Sequence, residues 1–246
     1  MNKDPMNKDP MNKIAVVTGA GSGVGQAVAL RLARENWNVA LLGRRIEALH
    51  ETISGAGTVT TKLVPIACDV SVESEVIQMA DHVRKTLGAP TALVNSAGVN
   101  VPKRSLGDLS TEDYRHIIDV NLNGAFYTIH AFLPDMRAAG IGTIVNVISD
   151  AGLSANRISG AAYIASKFGL SGLTATINAE ERKNGIRACA LFPGEINTPL
   201  LDKRPTPPPA EARTKMLQPE DVADCIMLAL NLPDRAIIEQ LVLRPR

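Results

Sequence analysis

Apolar and polar positions along this chain follow two alternating rhythms. Short, almost wholly apolar runs recur at residues 14–18, 39–42, 63–67, 92–95, 144–148, 188–192 and 239–243. Between or after them lie longer stretches with apolar residues three and four apart, near 23–35, 46–53, 72–87, 111–138, 161–183 and 219–230. Unbroken apolar runs fit strands covered on both faces, and the longer period fits helices packed on one side. Strands alternating with helices predict crossover units and a parallel sheet. The reading is α/β: a doubly wound parallel sheet of about seven strands with helices on both faces. No linker divides residues 14–246, so a single domain is expected there.

Two segments stand outside this rhythm. Residues 1–13 repeat the unit Met-Asn-Lys-Asp-Pro twice and begin it again, with Pro5 and Pro10 and no apolar stretch. The segment is no secretory signal and is expected to be an appended leader or a disordered tail. The second segment carries Arg204, Pro205 and the run Pro207-Pro208-Pro209. It follows a strand end, where open α/β sheets bind ligands, and marks a short substrate loop at about 195–218.

Composition narrows the class. With 26 basic and 25 acidic residues in 246, the net charge is +1. Such a chain offers no field for nucleic acid or an anionic membrane. No apolar run is long enough to cross a bilayer. Cys68, Cys189 and Cys225 are odd in number and set in apolar context, as core thiols of a reducing compartment are; a cytoplasmic location is expected. His50, His82, His116 and His130 show no ligand spacing, so no metal site is expected.

The first strand runs into Thr18-Gly19-Ala20-Gly21-Ser22-Gly23-Val24-Gly25, and a helix follows. Glycines permit a tight turn and let backbone approach a pyrophosphate, while the helix N-terminus supplies free N–H groups and a positive dipole end. Between a first strand and a first helix, this turn predicts dinucleotide binding on a Rossmann-like fold. The second strand ends Leu41-Leu42-Gly43-Arg44-Arg45. A carboxylate there would hold the ribose hydroxyl of NAD; Gly43 and two guanidiniums stand instead. A guanidinium pairs bidentately with phosphate. NADP(H) is therefore expected over NAD(H), with Arg44 the principal contact to the 2′-phosphate and Arg45 in support.

Tyr163 and Lys167 are four residues apart in a helical pattern, with Ser149 upstream. That spacing puts phenol and ammonium on one face. A nearby cation lowers a phenol pKa by roughly 1–3 units from about 10, which would make Tyr163 a proton donor and acceptor near neutral pH.

Together these residues resemble the short-chain dehydrogenase/reductase family over essentially all of residues 14–246. The turn Thr18 to Gly25 matches its cofactor signature. Cys68-Asp69-Val70 resembles its adenine-contacting segment. Asn95-Ser96-Ala97-Gly98 matches its Asn-Asn-Ala-Gly element, with serine in second place. Asn121 matches the active-site asparagine and completes a tetrad with Ser149, Tyr163 and Lys167. Pro193-Gly194, with Ile196 and Thr198 beyond, matches the loop at the nicotinamide end. The resemblance implies hydride transfer between nicotinamide and a carbonyl or secondary alcohol. It assigns Tyr163 the proton, Ser149 the substrate oxygen, Lys167 the nicotinamide ribose as well as the Tyr163 pKa, and Asn121 a water leading to solvent. A homotetramer or homodimer is implied, with the helices near 111–138 and 161–183 at the interface.

Candidate substrate-pocket residues are Asp150, Leu153, Asn156, Glu195, Ile196 and the proline patch. Aromatic residues are 3% of the chain, which favours a small or flexible carbonyl compound. The C-terminal segment is more similar to the branch of NADP-dependent 3-hydroxy-acid and serine dehydrogenases than to ketoacyl reductases with their Gly-rich ends. A hydroxy-acid dehydrogenase is thus the first specific alternative, ahead of ketoacyl and of sugar or polyol reduction. A non-catalytic NADP(H) sensor is the alternative of a different kind.

Overall fold

The structure is a computed structural model and describes residues 13–246; the repeated leader, apart from Lys13, lies outside the described residues. Seven strands form one sheet: β1 (Ile14–Thr18), β2 (Asn38–Gly43), β3 (Leu63–Ala67), β4 (Ala92–Asn95), β5 (Gly142–Val147), β6 (Ile186–Pro193) and β7 (Gln240–Leu243). All neighbours are parallel, in the order β3-β2-β1-β4-β5-β6-β7. The helices are α1 (Gly23–Arg34), α2 (Ile46–Gly55), α3 (Glu73–Thr86), α4 (Thr111–Ile118), α5 (Gly124–Ala139), α6 (Ala161–Glu181), α7 (Ala210–Arg213) and α8 (Pro219–Asn231).

The apolar strand runs are explained by burial on both faces. Ala15, Val17, Val39, Leu41, Val94 and Leu191 pack against Val28 and Leu32 of α1 and Ile226 of α8. Their neighbours Val16, Ala40, Leu42, Leu93 and Ile144 pack the other way, against Val76 of α3 and Phe132 and Met136 of α5. Each large side chain so buried contributes about 1.5–3 kcal/mol. β3 lies at the sheet edge with its residues only partly buried. Pro65, which has no N–H to donate, is tolerated there.

The chain winds from β1 out to β3, then returns to place β4 on the other side of β1. A cleft opens at the carboxyl ends of the strands where the winding reverses. Thr18 ties the two sides together: its Oγ1 accepts from the N–H groups of Ser96 and Ala97, both at 3.0 Å.

The single long helix expected at 111–138 is instead two, α4 and α5, joined by a π-helical turn, Asp119–Asn123. Such turns are frequent at functional sites. At its centre Asn121, 1% exposed, is clamped from three sides. Its Nδ2 donates to the Val99 carbonyl at 3.0 Å and to Ser166 Oγ at 3.2 Å, while its Oδ1 accepts from Val99 N–H at 2.7 Å. Among the described residues no helix is long and apolar enough to cross a membrane.

Candidate active site

The turn after β1 is shaped for close approach. Gly19 takes φ +68°, and a Cβ there would lie 3.0 Å from Ala97. A Cβ on Gly25 would lie 2.4 Å from the Gly19 carbonyl oxygen, so the helix can start beside the turn only without a side chain. The α1 cap residue, Ser22, makes no side-chain capping bond, and the first turn has no acidic residue. Its N–H groups and dipole are left for an outside anion. Gly19, Ser22, Gly23 and Val24 line the cleft. This cradle fits a pyrophosphate.

The opposite wall carries the side chains expected to act on a substrate. The cleft encloses about 250 Å³. Ser149 enters it just past β5, and Tyr163 and Lys167 enter from the first two turns of α6. The rotation of α6 is fixed by a buried polar chain. Asn95 Nδ2 donates to Asn146 Oδ1 and Asn146 Nδ2 to Thr174 Oγ1, each at 2.9 Å; Thr128 donates to Asn95 Oδ1 at 2.7 Å. Ser149 adopts φ +142°, a region costing a non-glycine residue about 1–3 kcal/mol. Its hydroxyl donates to Asp150 Oδ1 at 3.0 Å and accepts from Ala151 N–H at 3.2 Å.

Lys167 is buried, donates to the Val147 carbonyl at 3.0 Å, and lies 5.5 Å from the centroid of the Tyr163 ring. Burial pulls its pKa down to about 8. The Tyr163 phenol differs from expectation. Burial pushes it up to about 12, against hydrogen bonding with Ser149; Asp150 raises it further, and Arg104 and Arg204 lower it. The ammonium sits over the ring face and is engaged with a carbonyl, so Lys167 does not offset that burial. The expected lowered phenol pKa is corrected accordingly.

The remaining expected residues separate into two groups. Ala97, Gly98, Pro193, Gly194, Ile196 and Thr198 line the cleft. A Cβ on Gly98 would lie 3.7 Å from Asn121 Oδ1 and 3.9 Å from Lys167 Nζ, so those two side chains converge beside it. Thr18, Gly21, Gly25, Asn95, Asn121 and Val70 are not among the lining residues; Asn95 is committed to Asn146 and Thr128, and Val70 packs on Gly124. Asp69 accepts from Ser71 N–H at 3.0 Å and from Ser71 Oγ at 2.6 Å. Burial raises its pKa, but the Ser71 bonds and the charges of Arg44 and His116 outweigh this and leave it below its ordinary value. Arg44 and Arg45 are exposed at the end of β2, Arg45 as the cap residue of α2.

On the substrate side Asp150, Glu195, Ile196 and Arg204 line the cleft, whereas Leu153, Asn156 and the prolines from Pro205 to Pro209 do not. Sequence reading missed Asn100, Arg104, Ile158 and Ser159. Arg104 sits in a short polar stretch without periodicity, next to Lys103, and resembles a surface charge until the chain folds.

The comparisons agree with this geometry. The family described as short chain dehydrogenase matches residues 13–208. A D-beta-hydroxybutyrate dehydrogenase of Rhizobium meliloti (strain 1021) is 35% identical over 220 residues, 88% of this chain and 83% of the relative. An alcohol dehydrogenase of Thermococcus sibiricus complexed with 5-hydroxy-NADP superposes with a TM-score of 0.82 at 30% identity, covering 95% of this chain and 96% of that one. The closed form of a serine dehydrogenase complexed with NADP+ gives 0.86 at 27% identity, covering 94% of each. With the cofactor cradle, the parallel sheet and a family match over most of its length, this chain belongs to the short-chain dehydrogenase/reductase family, oxidoreductases that act on alcohol and carbonyl groups.

Proposed function

We propose that the protein is an NADP(H)-dependent oxidoreductase of carbonyl compounds or secondary alcohols, with Tyr163 as general acid and base. The observation that carries this reading is the convergence of Ser149, Tyr163 and Lys167 in one cleft opposite the glycine cradle. When bound, the nicotinamide supplies or accepts the hydride. The oxygen of a carbonyl substrate gains charge as the carbon is reduced and needs donors aimed at it. Tyr163 gives the proton and Ser149 holds the oxygen. Lys167, with a pKa near 8, stands beside the phenol to restore its proton and to hold the ribose. Asn121 holds Val99 by two hydrogen bonds, converges with Lys167 beside Gly98, and is assigned the water through which solvent replaces the proton.

Arg44 and Arg45 receive the 2′-phosphate, and Asp69 and Val70 border the adenine. NADP-complexed neighbours support that choice. The protein is assigned to the cytoplasm. It is assigned a homodimer or homotetramer built on α4, α5 and α6, where Tyr114, Phe126 and Phe168 are exposed.

The test follows NADPH and NADH consumption over ketones, aldehydes, keto acids and ketoesters, with Tyr163→Phe beside the parent. Loss of a positioned general acid lowers the rate about 10²–10⁴-fold, with NADPH binding kept. Retention of more than about a third of the activity would remove Tyr163 from the role. Tight NADPH binding with no turnover on the whole panel would favour the sensor reading.

A further inference from the structure

Among the described residues two buried cations of the cleft, Lys167 and Arg104, form no ion pair with a carboxylate, and the proposed reaction uses only Lys167. Arg104 is 7% exposed, so more than nine-tenths buried, and lines the cleft beside Tyr163. Its Nε donates to the Val101 carbonyl at 2.6 Å, its Nη1 to the Ile158 carbonyl at 3.4 Å, and its Nη2 to the Lys203 carbonyl. A guanidinium has five N–H donors; one on each terminal nitrogen is left over. Among the described residues no carboxylate forms an ion pair with Arg104.

Of the other charges facing the cleft, Glu195 and Arg204 pair with each other at 2.8 Å, and Lys167 is already used by the proposed reaction. Asp150 accepts from Ser149, and Lys167 donates to Val147. Burial, then the neighbouring Arg204 charge, lower the Arg104 pKa, so the fold holds this cation at a cost. An unpaired buried charge is expensive unless something of opposite sign completes it. The three backbone bonds staple residues 101, 158 and 203 together, which accounts for three donors. They leave the net charge uncompensated.

We infer that Arg104 is the anion-binding residue of the substrate site, and that the molecule converted beside Tyr163 carries a carboxylate received by the two remaining N–H groups of Arg104, with Arg204 alongside. This deepens the proposed reaction and rests on it. In the reducing direction a C–H bond forms at the keto carbon from hydride. The C=O π pair moves to oxygen, which takes the Tyr163 proton, and the carboxylate is unchanged. Keto acid, NADPH and a proton give hydroxy acid and NADP+. Carboxylate and guanidinium match as planar forks, and losing a hydrogen bond to a charged group costs about 10- to 100-fold in affinity.

The experiment compares acetoacetate and pyruvate with their neutral methyl esters in the parent, Arg104→Gln and Arg104→Lys, each checked for folding by thermal melting. The expected result is a higher kcat/KM for the acids in the parent. Their advantage over the esters should fall about 10- to 100-fold in Arg104→Gln, mainly through KM, and be partly kept in Arg104→Lys. An ester preference in the parent, or acid and ester falling in parallel, overturns the inference and leaves Arg104 a loop staple. A second arm needs no turnover. Butyrate and butyramide are titrated calorimetrically into NADP+-loaded Tyr163→Phe protein, with and without Arg104→Gln. Butyrate binding that butyramide does not share, lost with Arg104, supports the inference even if the oxidoreductase reading fails on the panel. No difference between the two overturns it.

Discussion

Arg44 shows how far a single residue can be read before the chain folds. Its place after Gly43 predicts a phosphate contact, and the structure leaves it exposed yet close enough to act on Asp69. Arg44→Ala is expected to weaken NADPH about 10- to 100-fold and leave NADH unchanged, as measured by nucleotide fluorescence titration. Equal weakening of both would show that Arg44 serves the turn and not the 2′-phosphate. Ser149 presents two roles at one position. It caps the turn Asp150–Gly152, as a serine after a strand ordinarily does, and it also stands in the cleft. Its φ of +142° is a conformation that a non-glycine residue holds at a cost of about 1–3 kcal/mol.

At the scale of elements, the site depends on junctions between strands and helices more than on the elements themselves. Thr18 holds the ends of β1 and β4 together through two N–H groups. Thr18→Val keeps the shape and leaves those donors without a partner. It is expected to cost about 1–3 kcal/mol, read as a lowered urea midpoint, and to weaken NADPH binding because Ser96 and Ala97 loosen. An unchanged midpoint would mean that water replaces the hydroxyl without loss. The π-turn at Asp119–Asn123 illustrates what apolar spacing misses. The periodicity continues through 111–138, but the bonds from Asn121 to Val99 and Ser166 run to distant segments that no local period records.

Over the whole molecule, burial of Lys167 sets stability against chemistry. Its folded pKa of about 8 lies below the ordinary lysine value. Below pH 8 both folded and unfolded chains are protonated, and the folded one bears the full burial penalty. Between pH 8 and the ordinary value the unfolded chain binds more protons, so stability rises with pH. Tyr163 acts in the opposite sense at higher pH: with a folded value of about 12, it makes stability fall above about pH 10, the ordinary phenol value. Lys167→Met is therefore expected to raise the melting temperature of the cofactor-free protein at pH 7. The gain is at most about 3 kcal/mol, reduced by the orphaned Val147 carbonyl, and should shrink towards pH 10 while turnover is lost. A variant that melts lower than the parent at pH 7 would show that the Val147 bond outweighs burial.

The sequence by itself determined the layered α/β fold, the seven strands and the cofactor turn. Each rests on local signals: apolar runs, helical spacing, and glycines at a strand-to-helix turn. It also marked Ser149, Tyr163 and Lys167, because the resemblance ties them to fixed spacing. Tertiary structure alone decided what surrounds them. It raised the phenol pKa, since desolvation depends on the final packing and not on the neighbour at i+4. It tied Asn95 into a buried network joining β4, β5, α5 and α6. It also turned Arg104 from one charge in a polar stretch into a buried cation lining the cleft, by folding residues 158 and 203 onto it. Contacts between segments 50 to 100 residues apart leave no periodic trace in the chain, and burial, charge pairing and pKa are all properties of such contacts.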